Sequence, residues 1–399
     1  MKELIRQFRD FFVSLQLTVV LLAMGIVLIF AATLDQTDLG IWVVQEKYFR
    51  SFFVLWQMGD IPVPVFPGGY FVGGMLFINL LASHIYRFRM SWKKSGIFMT
   101  HIGLLLLLLG ELLSGLWQEE SMLTMREGET LNYSESQLKN ELAIIDVTDP
   151  KTDLVVAIPE RVLARGTTVQ HPDLPFRVET RAYYENASLR TRADAPNAPA
   201  SLATVGLGPQ IVAIPMAPTY RANERNSPAA FVELIGPDGS LGTLLVSTNL
   251  ATEKPDTNGM VLQWSAQPFN YAGRQWKIML RHTRTYHPFS LTLLKVEHDV
   301  YAGTDIPKNF SSRVRINNPG GQGDHESLIY MNNPLRYEGL TFYQSQMAKS
   351  VQLTGLQVVR NPSRQLPYIS CALMGLGLLT QFGIHLFGFL GKRRKAVAA

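Results

Sequence analysis

Eight histidines supply the imidazoles of this 399-residue chain. Three of them sit where an ionisable side chain is costly. His84, His101 and His385 lie in or beside long apolar runs, as in "LFINLLASHIY", "FMTHIGLLLLLLGELL" and "LLTQFGIHLFGFL". Ionisable groups in such runs are rare, and they tend to face a partner group or a functional path. Imidazole is a fit axial ligand for haem iron. His101 follows Lys94 by seven residues, and His385 precedes Lys392 by seven. At the helical rise of about 1.5 Å per residue, each stands about 10 Å from its cationic edge, so the two share a depth. Two uses compete for these residues: ligation of a haem, or interfacial snorkelling and helix–helix hydrogen bonding. His84, three residues before Arg87, suits the second use well.

The other five histidines, His171, His282, His287, His298 and His325, show no zinc-type spacing and are expected in surface or loop positions. The single cysteine, Cys371, lies in an apolar run. It excludes an internal disulfide, a thioredoxin-like C-x-x-C and a C-x-x-C-H haem-attachment motif. No nucleophile constellation, phosphate-binding loop or paired-carboxylate site stands out, so no catalytic residue is assigned. Glu111, far along the run that holds His101, would pair with a cation on a partner or reach a headgroup layer.

Four helices must position these groups. Charged residues make up 17% of the chain, against a usual share of about 25%, and the apolar residues gather at the two ends. Runs at about 11–34, 66–85, 95–116 and 368–390 are each long enough to cross a bilayer. The first is too long for the apolar core of a signal peptide. Lys2, Arg6 and Arg9 precede the first run. Arg87, Arg89, Lys93 and Lys94 join the second to the third, and Lys392, Arg393, Arg394 and Lys395 follow the fourth. The positive-inside rule puts these three segments in the cytoplasm. The expected protein is multi-pass in the cell membrane, with both termini cytoplasmic and one large extracytoplasmic domain. The net charge of +5 comes from the cytoplasmic edges, so nucleic acid is not a partner. Between the first two spans, "IWVVQEKYFRSFFVLW" reads as an interfacial helix at about 41–56, followed by a stiff Pro-rich return. In the third helix Gly96, Gly103 and Gly110 recur every seven residues, with Ser114 four further on. Such a small-residue stripe suits close helix packing.

The segment 118–366 reads as an all-β, sandwich- or barrel-like domain. Runs such as "ELAIIDVTDP", "GRQWKIMLRHTRTY" and "FSLTLLKVEHDVY" are β-branched or alternating, and "GPDGS" and "PGGQGD" mark turns. Residues 186–230, rich in Ala, Pro, Asn and Arg, read as a loop insertion. In "MNNPLRYEGLTFYQSQM", Pro334 opens a strand or turn and Glu338-Gly339 is a second turn. "LTFYQSQ" is then a strand, with Tyr343 and Gln344 available for partner contacts. Residues 367–399 complete the membrane region as a fourth helix and a basic tail, and 1–117 form its first part.

This order of elements resembles the ResB/CcsB family of cytochrome c biogenesis proteins (system II). So do the stretches "AATLDQTDLGIWVVQEKYF", "KKSGIFMTHIGLLLLLLGELLSG", "HPFSLTLLKVEHDVYAGTDIPKNFSSRVRI" and "NNPLRYEGLTFYQSQM". The resemblance implies a subunit that moves haem across the membrane with a ResC/CcsA-type partner and presents apocytochrome c for haem attachment. It implies a third-helix His, here His101, as a ligand to haem b shared with a His of the partner chain. His385 and His84 are further cofactor-binding candidates. The chain would be a non-catalytic subunit of a cytochrome c haem lyase complex. It has no cysteine in the outside domain, which argues against a redox role there. Two other readings stand beside this one. In one, the chain is a membrane b-type cytochrome with His101 and His385 on one haem. In the other, it is an extracytoplasmic scaffold that binds a client.

Overall fold

A computed structural model describes residues 2–58, 61–219, 226–250, 266–303, 307–321, 323–348 and 352–397. The chain divides into two units, the first built from residues 1–119 and 361–399 and the second from most of 120–360.

In the first unit the helices are α1 (Lys2–Phe12), α2 (Leu15–Val44), α3 (Gly69–Tyr86) and α4 (Ser95–Trp117). The last long helix, Leu366–Val397, is named α6 below because the short α5 precedes it in the chain. Among the described residues, four segments are long and apolar enough to cross a membrane: Leu15–Phe49, Gly69–Tyr86, Trp92–Trp117 and Leu366–Arg394. The α4 bounds match the sequence expectation of 95–116 almost residue for residue. The expected interfacial helix at 41–56 is different. Gly40 takes φ 73°, ψ 165°, which breaks the α2 geometry, and a π-helical turn follows at Gln45–Phe49. Strands β1 (Phe53–Met58) and β2 (Ile61–Pro67) then pair antiparallel. Phe53 and Leu55 are exposed and Val54 between them is buried, the alternation of a strand. Asp35 ties the turn down: it accepts from Lys47 Nζ and from Tyr48 Oη, both at 2.7 Å. All three residues fall within the stretch "AATLDQTDLGIWVVQEKYF".

The small-residue stripe of α4 packs on α6. A Cβ on Gly96 would lie 2.5 Å from Gln381 N and Gly377 O, and one on Gly103 would lie 2.6 Å from Met374 Cγ. Gly110 faces Leu366, and Ser114 Oγ lies 3.1 Å from Ser363 Oγ. The absence of side chains lets two backbones approach within van der Waals range, where dispersion and weak hydrogen bonds hold the helices.

The second unit holds β3 (Glu119–Arg126), β4 (Thr130–Asp146), β5 (Leu154–Pro159), the helical turn α5 (Glu160–Ala164), β6 (Arg177–Tyr184), β7 (Ala187–Thr191), β8 (Ile211–Pro215), β9 (Ala229–Gly236), β10 (Gly239–Ser247) and β11 (Gln267–Tyr271). It continues with β12 (Arg274–Val300), β13 (Pro307–Asn317), β14 (His325–Tyr330), β15 (Leu335–Tyr337), β16 (Leu340–Ala348) and β17 (Leu353–Arg360). One ten-stranded sheet runs β14-β13-β12-β4-β3-β17-β16-β15, with β5 and β11 pairing to β4 and β12. Its two ends approach each other where β14 meets β16, so the sheet is a nearly closed barrel. A three-stranded sheet β10-β9-β6 packs with it. The expected turns are in place. Glu338 and Gly339 have φ 46° and 76°, the two positive values that a type I′ hairpin needs. Glycines 320, 321 and 323 of "PGGQGD" also have positive φ. The expected loop insertion at 186–230 is structured in part. Strands β7 and β8 pair over a small core with Ala187, Ala203, Ile211, Phe231 and Leu245. Residues 220–225 of that stretch lie outside the described residues.

The long strands β4 and β12 serve two separate cores. At one end Trp276, Ile278 and Leu280 pack with Leu142 and Ile144. At the other, Phe289, Leu291 and Leu293 pack with Phe342 and Leu356. Inward positions on β12 thus change from even to odd numbers. A single strand cannot do this while its register holds. Two irregularities solve it, between His282 and Arg284 and between Tyr286 and Leu291. Between the cores lies a polar belt: Arg281–Glu141, His282–Asn140, Arg284–Glu135 and His287–Ser134.

Candidate functional site

The helices of the first unit bring two of the three candidate histidines together. His84 lies in the last turn of α3 and His101 in the second turn of α4. His101 Nδ1 stands 3.2 Å from His84 Nε2, and the rings meet edge-on with centroids 4.9 Å apart. His84 Nδ1 lies 3.0 Å from the carbonyl oxygen of Leu80, one turn earlier. Phe88 stacks on His84 at 5.0 Å and 19°. Phe98 lies 6.0 Å from the same ring and 5.8 Å from Phe88. Both histidines are half-buried, and their surroundings are aromatic and aliphatic.

His385 is elsewhere. Its Nε2 lies 2.9 Å from Gln381 Nε2 on its own helix. Gln381 Nε2 also donates to Lys93 O at 3.2 Å, while its Oε1 accepts from Ile97 N at 3.3 Å. Gln381 caps the start of α4, and His385 meets Gln381 rather than His101. Helical geometry explains the separation. Residues two apart differ by about 200° around the axis. Gly103 faces α6, so His101 points to the far side, toward α3. Glu111 is exposed on α4.

Asn79, which the sequence reading passed over, anchors α3. It is 2% exposed. Its Nδ2 donates to Phe12 O (2.7 Å) and Ser14 O (3.0 Å), and its Oδ1 accepts from Thr18 Oγ1 (2.6 Å). These bonds fix α3 against the α1–α2 junction, five residues before His84. The signal was present in "LFINLLASH": an amide in an apolar run needs partners, because an unpaired one is costly there.

The histidines of the second unit occupy strands more than loops. His282, His287 and His298 all lie on β12. His287 Nε2 is 2.9 Å from Ser134 Oγ, and its ring stacks on Phe289. Burial pushes its pKa below the usual histidine value. His298 stacks on Phe310 at 4.6 Å. Among the described residues no three His, Cys, Asp or Glu side chains are grouped to hold a metal. Of the two proposed contact residues on β16, Tyr343 is exposed. Gln344 is instead built into the barrel: its Oε1 accepts from Ser312 Oγ at 2.7 Å, and its Nε2 donates to Thr354 Oγ1 at 2.9 Å.

The donor chemistry available at α3 and α4 is a pair of imidazoles in contact, beside two phenyl rings. It can bind a metal centre axially in an apolar setting, and it cannot complete a multidentate cage. That donor set suits a haem iron, whose equatorial ligands come with it.

Comparison with known proteins adds the family. Residues 272–353 match the ResB-like family. Protein NrfI of Wolinella succinogenes is 35% identical over 92 residues, 23% of this chain and 10% of that protein. The cytochrome c biogenesis protein CcsB of Synechococcus sp. (strain CC9311) is 35% identical over 88 residues, 22% of this chain and 19% of that protein. The chain therefore spans about a tenth to a fifth of the length of these curated relatives. The segment that matches includes β12 through β16, which supply much of the second core and its hairpin. Over residues 272–353 the chain is similar to the ResB-like family, in agreement with the resemblance its sequence bears to the ResB/CcsB family.

Proposed function

We propose that this chain is a membrane subunit of a cytochrome c biogenesis machinery, handling haem with a ResC/CcsA-type partner. The observation that carries this reading is the ResB-like match over residues 272–353, in a chain with four helices of membrane-spanning length and apolarity. The four helices cross the membrane with the Lys/Arg segments in the cytoplasm, as the positive-inside rule orders them, and the β unit stands outside. His101 would hold haem b together with a histidine of the partner. When bound, the haem is the cargo that is delivered to the Cys thiols of apocytochrome c.

The roles of this chain's own residues follow from their chemistry. His101 holds the iron from α4, and the apolar faces of α3 and α4 keep water from it. Phe88 and Phe98 lie beside the pair and suit a porphyrin edge. The β unit, with Tyr343 exposed on β16, receives apocytochrome on the outer side. Gln381, engaged with His385, secures the start of α4.

Co-expression tests this reading. In a host without its own machinery, this chain, a ResC/CcsA-type protein and an apocytochrome c are produced together. Covalent holocytochrome should form only when both membrane chains are present. Omission of this chain should lower the yield by at least about tenfold. An unchanged yield without it would contradict the proposal.

A further inference from the structure

We infer that His84 is the positioning residue for His101 rather than a second ligand. Its ring accepts the Nδ1 proton of His101 and so leaves Nε2 of His101 as that ring's one basic nitrogen. This rests on the reading of His101 as a haem ligand, and the test below separates the two.

The argument is a count of protons. Leu80 O, 3.0 Å from His84 Nδ1, is a carbonyl and can only accept. His84 Nδ1 therefore carries the proton. A neutral imidazole has one N–H and one lone pair, so Nε2 of His84 is an acceptor. His101 Nδ1 stands 3.2 Å from it and must supply the hydrogen. The remaining lone pair of the chain Leu80–His84–His101 is then at Nε2 of His101. The reverse arrangement needs a doubly protonated His84, an uncompensated charge in an apolar helix layer.

The same count removes His84 as a ligand. Its Nδ1 is spent on Leu80 and its Nε2 lone pair on His101, so the neutral ring offers no free electron pair. The ring is also held in place. Phe88 stacks on it and Phe98 flanks it, while Asn79 pins α3 five residues upstream. A ligating histidine commonly gives its other N–H to an acceptor, which fixes the ring and raises its basicity. Here that acceptor is a second imidazole.

The experiment uses the full chain co-purified with its ResC/CcsA-type partner. Haem per complex, affinity for added hemin after haem removal and the haem reduction potential are measured for His101→Ala, His84→Ala and His84→Gln. His101→Ala should lose haem by about tenfold or more. His84→Ala should keep a six-coordinate spectrum, but with hemin affinity lower by about 10- to 100-fold and a raised potential, because the ligand becomes less basic. The amide oxygen of Gln can accept the same proton, so His84→Gln should return both values toward wild type. Partner co-purification reports that each variant folds. If His84→Ala turns the haem five-coordinate, and Gln does not restore it, His84 is a ligand and the inference fails. Unchanged affinity and potential in His84→Ala would also overturn it. Full haem content in His101→Ala would remove the ligand reading itself.

Discussion

Gly96→Ala is expected to be the most damaging single methyl in the helical unit. The added Cβ would lie 2.5 Å from Gln381 N and from Gly377 O. Both are backbone atoms of α6, so no side-chain rotation relieves the clash and the helices must part. Overpacking of this kind costs about 1–3 kcal/mol and sometimes more, and separation would also loosen the Gln381 contacts that cap α4. The neighbours provide a scale. Gly103→Ala meets Met374 Cγ at 2.6 Å, a flexible side chain, but also Ser370 O at 2.9 Å. Gly110→Ala meets only side-chain atoms, the nearest 3.0 Å away. Gly375 has nothing within 4 Å of a built Cβ, and alanine there should add up to about 1 kcal/mol through helix propensity. Thermal unfolding of the detergent-solubilised chain should rank the melting points in the order Gly375→Ala, Gly110→Ala, Gly103→Ala, Gly96→Ala, highest first. Equal melting points for Gly96→Ala and Gly375→Ala would show that α4 and α6 do not pack as described.

Arg281→Ala should destabilise the β unit by about 3–5 kcal/mol. Arg281 and Glu141 are 4% and 7% exposed as side chains, with Nη2 3.0 Å from Oε1 and Nε bonded to the same carboxylate. They sit directly opposite each other on β12 and β4, next to the core of Leu142, Ile144, Ile278 and Leu280. Removal of the guanidinium leaves a carboxylate buried without its counter-charge, and that penalty sets the size of the effect. The double variant Arg281→Met/Glu141→Leu removes both charges and should recover most of the loss, since paired buried charges gain little over apolar packing. Urea unfolding of the wild type, Arg281→Met, Glu141→Leu and the double variant gives the coupling directly. A single-variant loss below about 1 kcal/mol would mean that the pair is hydrated.

Period and length made much of this legible. The α4 run has no breaker, and its heptad glycines pointed to a helix contact that α6 fills. "GPDGS" and "PGGQGD" sit at hairpins because only glycine tolerates their positive φ cheaply. The stretch after the kink at Gly40 is helical to Phe49, as expected, but its apolar run then continues into a strand at Phe53, which composition alone does not separate from helix. Strands β7 and β8 escaped notice because five residues each, in an Ala- and Pro-rich stretch, show too few alternations. "GRQWKIMLRHTRTY" and "FSLTLLKVEHDVY" read as two strands, yet they are one. The residues His287 to Ser290, opposite Asn132, absorb the parity change without ending the strand. At the candidate site, sequence placed His101 and His385 at one depth, but depth says nothing about azimuth. Their separation depends on which face of α4 meets α6, and the His84–His101 contact depends on how α3 and α4 fold back on each other. The stretch "LTFYQSQ" is a strand as read, but Gln344 belongs to the barrel's internal network, while Tyr343 is exposed.

The claim at the centre of this account is that His101 gives an axial imidazole to haem. The ferric absorption spectrum of the purified complex with a ResC/CcsA-type partner tests it most directly, for wild type and for His101→Gly with and without added imidazole. The account predicts a six-coordinate low-spin haem in wild type, a haem-poor or five-coordinate complex in His101→Gly, and a return of the low-spin bands when imidazole enters the vacated site. Wild-type haem content with an unaltered low-spin spectrum in His101→Gly would contradict it.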